Sequence, residues 1–497
     1  MNLREKAFAG LIWGGGFRVL QNLLNLCLTL ILVRILDPKD YGQFAVLMGI
    51  LGFVNSITYE NFVSHIIQVR DESKIPYQDH FTAAVCIQCL VFLLLNITAW
   101  ILSSVPAYEN FAYYLYYMSA SVIFIGVGGF RYIILEKQLN WKRYRILQAI
   151  GLICSMSIAL TFALNGGGIL ALLFSPFGKF IPAIIDLFFV QRWKPTWEFS
   201  WKAYYPSFQF GLKRLASKGL KNGAKTFETN LLFIFLGVIY VGYLNRSFGI
   251  TQLIILQFTT IVGQSLFPIL TRFEPGSDSC RTASTIVYRS IAWTTIPVAV
   301  MLGSLAEPFI NTVFGPKWLP SAGLLPYTLA CVTINSLGYG AYTILLANNH
   351  EGRCLRYDVI RIIGVGIALA LWPLYKNIMV YLLLLSICEM TTLVILLKWL
   401  KDVNILTLKD FQTIFLPPLI TSAFGFAIII LPGQSSTGNT LFDWATFQKI
   451  LLYCISCILS FRCLFSRTLF ESLNYLPYPE RLKTLLFYKK IYRFDSQ

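Results

Sequence analysis

The chain has 497 residues, of which 56% are hydrophobic and 13% charged, and its formal net charge is +17. Soluble domains average about 45–50% apolar and 25% charged residues, so these charges are too few to coat the several domains a soluble chain of this length would form. The basic excess does not read as a nucleic-acid surface, because Lys and Arg are dispersed in short segments between apolar runs.

Those runs recur from end to end, each roughly 20 residues long and without strand alternation. In hydrocarbon only helices or closed barrels satisfy their own backbone groups, so the predicted fold class is all-α, a polytopic membrane protein. Fourteen spans are expected, at about 8–34, 41–64, 80–103, 113–134, 145–164, 168–190, 207–236, 243–270, 284–313, 320–347, 357–375, 378–398, 411–431 and 444–465. Met1–Lys6 is short and basic, but the apolar run behind it continues past Val33, too long for the core of a cleavable signal.

Loop charges set the orientation. Loops on the side of the N-terminus, with the tail, hold about 25 basic residues (Arg131, Lys137, Lys142, Arg143 and Arg145 among them), against about five opposite: Arg34, Lys39, Arg246, Lys317 and Lys376. Both termini are therefore expected in the cytoplasm. The outer connections are short, and Asn165–Gly168 is barely a turn. The tail from Phe465 is basic and aromatic, as an interfacial segment on anionic lipid would be.

No catalytic or metal constellation emerges. Cys86/Cys89 and Cys454/Cys457 have redox or metal spacing but lie mid-span with no His nearby, and read as small packing residues. His65, His80 and His350 are not paired at metal spacing, and no phosphate-cradling loop is found. No cofactor is expected, and the chain does not read as an enzyme.

Span 7 is anomalous. Arg214, Lys218, Lys221, Lys225 and Glu228 are spaced so that they stay within an arc of about 80° on one helix face. A basic residue at mid-membrane costs about 2.5–3.5 kcal/mol, so four facing lipid would cost about 10–14 kcal/mol. Such charges face a water-filled cavity and mark a substrate path. The competing reading is a basic helix lying on the cytoplasmic surface. It would leave only about 15 residues, Asn230–Leu244, for a crossing that needs roughly 20.

Span 1 carries a weaker echo in Arg18, Asn22 and Asn25, and span 8 another in Gln257, Thr260 and Gln264. Leu36…Gly42 parallels Leu236…Gly242, and Arg18, Asn22 and Asn25 parallel Lys218, Asn222 and Lys225, all at one offset of 200 residues. This points to two homologous halves, each opening with a polar helix, around a central cavity. Arg18, Arg214, Lys218, Lys221 and Lys225 are the expected substrate-binding cations, with Asn22, Asn25, Gln257 and Gln264 as polar lining. Lys179 and Asp186, two helical turns apart, are expected to pair loosely. Glu228 and the mid-span Glu389 are candidates for coupling or charge balance.

Gly10-Leu11-x-Trp13, Arg34-Ile35-Leu36-Asp37-Pro38-x-Asp40-Tyr41-Gly42, Phe210-Gly211 and Phe314-Gly315-x-x-Trp318 resemble motifs of the Wzx-type polysaccharide flippases. These belong to the multidrug/oligosaccharidyl-lipid/polysaccharide exporter superfamily. The resemblance covers roughly residues 1–400. It implies an N-lobe at 1–206, a C-lobe at 207–402, two added spans at 403–466 and a basic tail at 467–497. It also implies an undecaprenyl-pyrophosphate-linked oligosaccharide as substrate, moved outward across a bacterial inner membrane. Membrane lipids and polysaccharide polymerase or chain-length machinery are the implied partners. The charge density of span 7 exceeds the family's usual pattern. A peptidoglycan-precursor flippase would share such a cationic cavity. A cation-coupled drug exporter would need an acidic one, and a membrane-embedded polymerase or ligase a sizeable outer loop.

Overall fold

The computed structural model describes residues 20–54, 59, 62–63, 66, 75–106, 108–197, 199–256, 258–260, 262, 274, 277–348, 350–430, 441 and 443–465, with backbone alone at 53–54, 213–214, 216–218 and 220–221. Regular structure among the described residues is helical throughout. The expected spans lie on helix over most of their described length, but turns at Leu305 and Leu371 divide the expected spans 284–313 and 357–375 into two helices each. Nine helices among the described residues are long and apolar enough to cross a membrane. The chain divides into two compact units, Met1–Gly242 and Tyr243–Gln497.

The first unit contains α1 (Leu20–Ile35), α2 (Pro38–Val54), α3 (Tyr77–Ser103), α4 (Glu109–Lys137) and α5 (Trp141–Leu164). Then come α6 (Leu170–Ile185), which runs into a π-turn at Asp186–Val190, and α7 (Trp201–Leu236). Local chemistry sets the boundaries. Pro38 opens α2, its fixed φ suiting a first helical position. The Asn140 side chain accepts from the Arg143 amide at the start of α5. Gly237, at φ +78°, ends α7 in a conformation that side chains disfavour. Helix α8 (Val238–Thr251) follows at once and crosses into the second unit.

The second unit holds α9 (Asp278–Ser304), α10 (Ala306–Val313), α11 (Leu319–Ala347) and α12 (Glu351–Ala370). It ends with α13 (Ile378–Asp402), α14 (Leu408–Ile430) and α15 (Trp444–Leu464). Its core is aliphatic and aromatic, with Tyr288, Ile291, Leu337, Ile344, Leu396 and Ile414 buried together. The Arg281 guanidinium ties α9 to α14 through Asp410 at 2.9 Å and Thr407 at 2.8 Å. The motif Trp318 is fully buried against Phe314 and Tyr243, so this motif builds a turn rather than a site.

Two sequence expectations are corrected in the first unit. Asp186 does not pair with Lys179. Its carboxylate accepts from Arg131 Nε at 2.6 Å and from Arg143 Nη2 at 2.7 Å, while the Lys179 ammonium lies over the Phe180 ring. Arg131, counted with the loop charges, sits inside α4 and is only 2% exposed. The reason is tertiary: the π-turn begins at Asp186, and the charges it meets come from α4 and α5. One carboxylate thus fastens the ends of three helices. Breaking a buried pair strands the other charge, so Asp186→Asn should cost about 3–5 kcal/mol. A fall in the thermal midpoint of the detergent-solubilised protein, absent in Lys179→Gln, is the expected result.

Candidate functional site

Helix α7 is unbroken for 36 residues. At about 1.5 Å per residue it is roughly 54 Å long, well beyond a hydrocarbon core of about 30 Å. The backbones of Arg214, Lys218, Lys221, Lys225 and Glu228 all lie on it, so the charged stretch shares one axis with the apolar stretch that follows. A separate surface helix would need a break near Thr229, and the helix passes through that residue without one. At the inner end of the described part of the stripe, Lys225 is 63% exposed. Its Nζ lies 3.6 Å from Glu228 Oε2, whose side chain is 12% exposed. Glu228 therefore balances part of the stripe's charge.

Asn22 and Asn25 are half-buried on α1, whereas Leu20, Leu23 and Leu26 are exposed. That inversion, leucine outward and amide inward, is what lipid demands of a helix beside a polar interior. Arg18, Gln257 and Gln264 lie outside the described residues, as do the side chains of Arg214, Lys218 and Lys221.

Glu389 is 1% exposed in the middle of α13. Its carboxylate accepts from Arg361 Nε of α12 at 2.7 Å and from Asn335 Nδ2 of α11 at 3.0 Å. Here it acts as a charge partner. Arg361 and Asn335 were missed in the sequence, though Arg361 interrupts an apolar run, which is the signal of a functional or paired charge. On α12 the exposed Leu355, Val359, Ile363 and Ile367 recur every four residues, and Arg361 is on the opposite side of the helix. Its side chain is nevertheless 41% exposed. An inward, exposed guanidinium at mid-helix needs water beside it. By contrast, a cleft of about 880 Å³ between α9, α11, α13 and α14 is lined almost wholly by aliphatic and aromatic groups such as Leu329, Leu393, Val394 and Phe426. It offers an anion no counter-charge.

The sequence profile of a family described as polysaccharide biosynthesis protein matches residues 31–323. The chain belongs to that family. The matched stretch contains both the Arg34–Gly42 and the Phe314–Trp318 motifs, which bears out the resemblance drawn from them. Among curated relatives, the teichuronic acid biosynthesis protein TuaB of Bacillus subtilis is 21% identical over 75% of this chain and 78% of its own length. The lipopolysaccharide biosynthesis protein WzxC of Escherichia coli is 21% identical over 73% of this chain and 74% of its own length. The succinoglycan biosynthesis transport protein ExoT of Rhizobium meliloti is 26% identical over 61% and 62%. Among solved structures, the lipid II flippase MurJ in an inward closed conformation aligns with TM-score 0.70 at 16% identity, covering 91% of this chain and 99% of MurJ. A multidrug resistance transporter of the MATE family in an inward-facing conformation aligns with TM-score 0.57 at 13% identity, covering 77% of this chain and 94% of its own. The polysaccharide biosynthesis protein is therefore a multi-pass helical membrane protein with this transporter fold.

The Arg361–Glu389 pair can be tested directly. Glu389→Gln should lower thermal stability in detergent, and adding Arg361→Gln should restore most of the loss. The double-mutant cycle should give a coupling of at least about 2 kcal/mol.

Proposed function

We propose that this protein is a flippase that carries undecaprenyl-pyrophosphate-linked oligosaccharide repeat units from the cytoplasmic to the outer leaflet of a bacterial inner membrane. The observation that carries the reading is α7, one unbroken helix in a multi-pass membrane protein of the polysaccharide biosynthesis family, bearing four cations on one face. A pyrophosphate cannot enter hydrocarbon, because stripping water from its charge is prohibitive. A wetted wall bearing Arg214, Lys218, Lys221, Lys225 and Arg18 supplies fixed counter-charge where the effective dielectric is low. Arginine forks two donors onto phosphate oxygens, and lysine acts as a point charge. Asn22, Asn25, Gln257 and Gln264 offer hydrogen bonds to the sugars. The prenyl chain stays in lipid, and alternating access exposes the path to each side in turn.

The named relatives concern three different polymers, teichuronic acid, lipopolysaccharide and succinoglycan. On this reading the anionic carrier is what they share, and it is what the stripe recognises. The loop-charge bias supports both termini in the cytoplasm. The lipid-linked repeat unit and the surrounding lipids are the partners, with the polymerase acting on the product outside. A drug exporter for cations would be repelled by the same stripe.

Lys218→Gln/Lys221→Gln/Lys225→Gln, expressed at the parent's level in a strain lacking its own copy, should reduce surface polymer at least about tenfold, the equivalent of about 1.4 kcal/mol. Unchanged polymer would overturn the stripe as the substrate path. Arginine at the same three positions should retain most of the export.

A further inference from the structure

The second unit carries a polar cluster of its own. At its centre Glu389 of α13 accepts from Arg361 Nε of α12 and from Asn335 Nδ2 of α11. Tyr357 of α12 is buried beside Glu389, Arg361 and Asp358, and its ring meets that of Tyr342 of α11 at 5.8 Å. Tyr342 in turn lies near Asp358 and Tyr339. A Cβ on Gly338 would lie 3.3 Å from Tyr357 Oη, so this glycine lets the tyrosine close against α11.

Asn335, Tyr339 and Tyr342 follow one another at helical spacing and form a stripe on α11. All three are half-buried, as is Asp358, one turn before Arg361. The apolar cleft takes the other side of α11, through Leu329, Thr333 and Leu337. Helix packing alone does not ask for such exposure. In the Asp186 cluster Arg131 is 2% exposed, and Arg143 opens out only in the first turn of α5. Arg361 stands at mid-helix with 41% of its side chain exposed. A polar wall at that depth is stable against water or a polar ligand, not against lipid.

Charge balance selects the ligand. Glu389 offsets Arg361, and Asp358 adds a further negative charge. Unlike α7, the wall therefore has no cationic excess to draw a pyrophosphate. It does hold donors and acceptors side by side. They are the guanidinium, the phenol hydroxyls, the Asp358 carboxylate and the carbonyl oxygen of Asn335, whose amide nitrogen is turned to Glu389. A sugar is polar around its rim and apolar across its C–H faces. Tyrosine answers with a flat apolar ring and a polar tip. A few placed polar groups among aromatic rings is the make-up of a small-molecule site. From Asn335 to Tyr342 the stripe runs about 10 Å along α11, room for a short oligosaccharide.

Resting on the flippase reading, we infer that Asn335, Tyr339, Tyr342, Asp358 and Arg361 form a binding site for uncharged sugars of the lipid-linked repeat unit, with Glu389 fixing the guanidinium. Cations on α7 and hydrogen-bonding groups on α11 and α12 then recognise different parts of one substrate.

Two ligands separate these roles: undecaprenyl pyrophosphate, which has no sugar, and the lipid-linked oligosaccharide extracted from a strain that lacks the flippase. Binding of each to the full-length protein in detergent is the measurement. Tyr339→Leu and Asp358→Asn should each weaken binding of the lipid-linked oligosaccharide at least about tenfold and leave that of undecaprenyl pyrophosphate within about twofold. Tyr339→Phe keeps the ring and should retain most of the affinity. Lys218→Gln/Lys221→Gln/Lys225→Gln should lose both ligands. Retained binding of the bare carrier shows that a variant is folded. Variants that bind both lipids as the parent does, or that lose both while eluting like the parent in gel filtration, would overturn the sugar site and leave the flippase reading intact. So would a parent that binds the two lipids equally. A parent that binds neither would sink the flippase reading itself, and the sugar site with it.

Discussion

A charge cannot rest in hydrocarbon unless it is paired or wetted, and this constraint sorts the ionisable groups of the protein. Some are neutralised inside helix packing. Asp186 holds Arg131 and Arg143, Glu389 holds Arg361, and Asp410 holds Arg281. Each of these draws together helices that apolar contact alone would leave free to slide, since lipid is as apolar as the side chains that pack. The stripe on α7 is a different kind of charge. It has four cations and a single acid on the same helix face, so pairing along α7 alone leaves an excess of positive charge. On the flippase reading proposed above, that excess is met by water and by an anion that comes and goes.

The helical fold was legible in the sequence, because a run of roughly 20 apolar residues has few alternatives in lipid. The unbroken character of α7 followed from length: too little apolar chain remained beyond Thr229 to cross alone. The ion pairs were not legible. Asp186 and Arg131 are 55 residues apart, and Glu389 and Arg361 are 28 apart. Spacing along one helix suggested Lys179 for Asp186. It could not reveal that α6 opens into a π-turn there, or that α4 and α5 supply the guanidiniums. Arg361 left a trace as a charge within an apolar run, but its partner depends on how α12 meets α13.

The repeat shows the same boundary between pattern and packing. The matching of Leu36…Gly42 with Leu236…Gly242 could be seen as letters, and the helix ends fall at the corresponding places. That Gly42 and Gly242 would lie against each other's helices, at Val238 and Pro38, could not be read from either copy alone. A two-fold relation within one chain gives each half the same surface, and a surface that complements itself needs to arise only once.

The length of α7 has a mechanical consequence. One end of this helix carries the cations and the other abuts the restart at Gly237, with no hinge glycine or proline described between Lys225 and Leu236. A stiff rod transmits displacement by leverage. A tilt that swings its Leu236 end by a few ångströms must turn or shift its Trp201 end in the opposite sense and in proportion. Whatever loads one end of the shaft is thus felt at the other as part of a single rotation, with no intermediary needed to relay it.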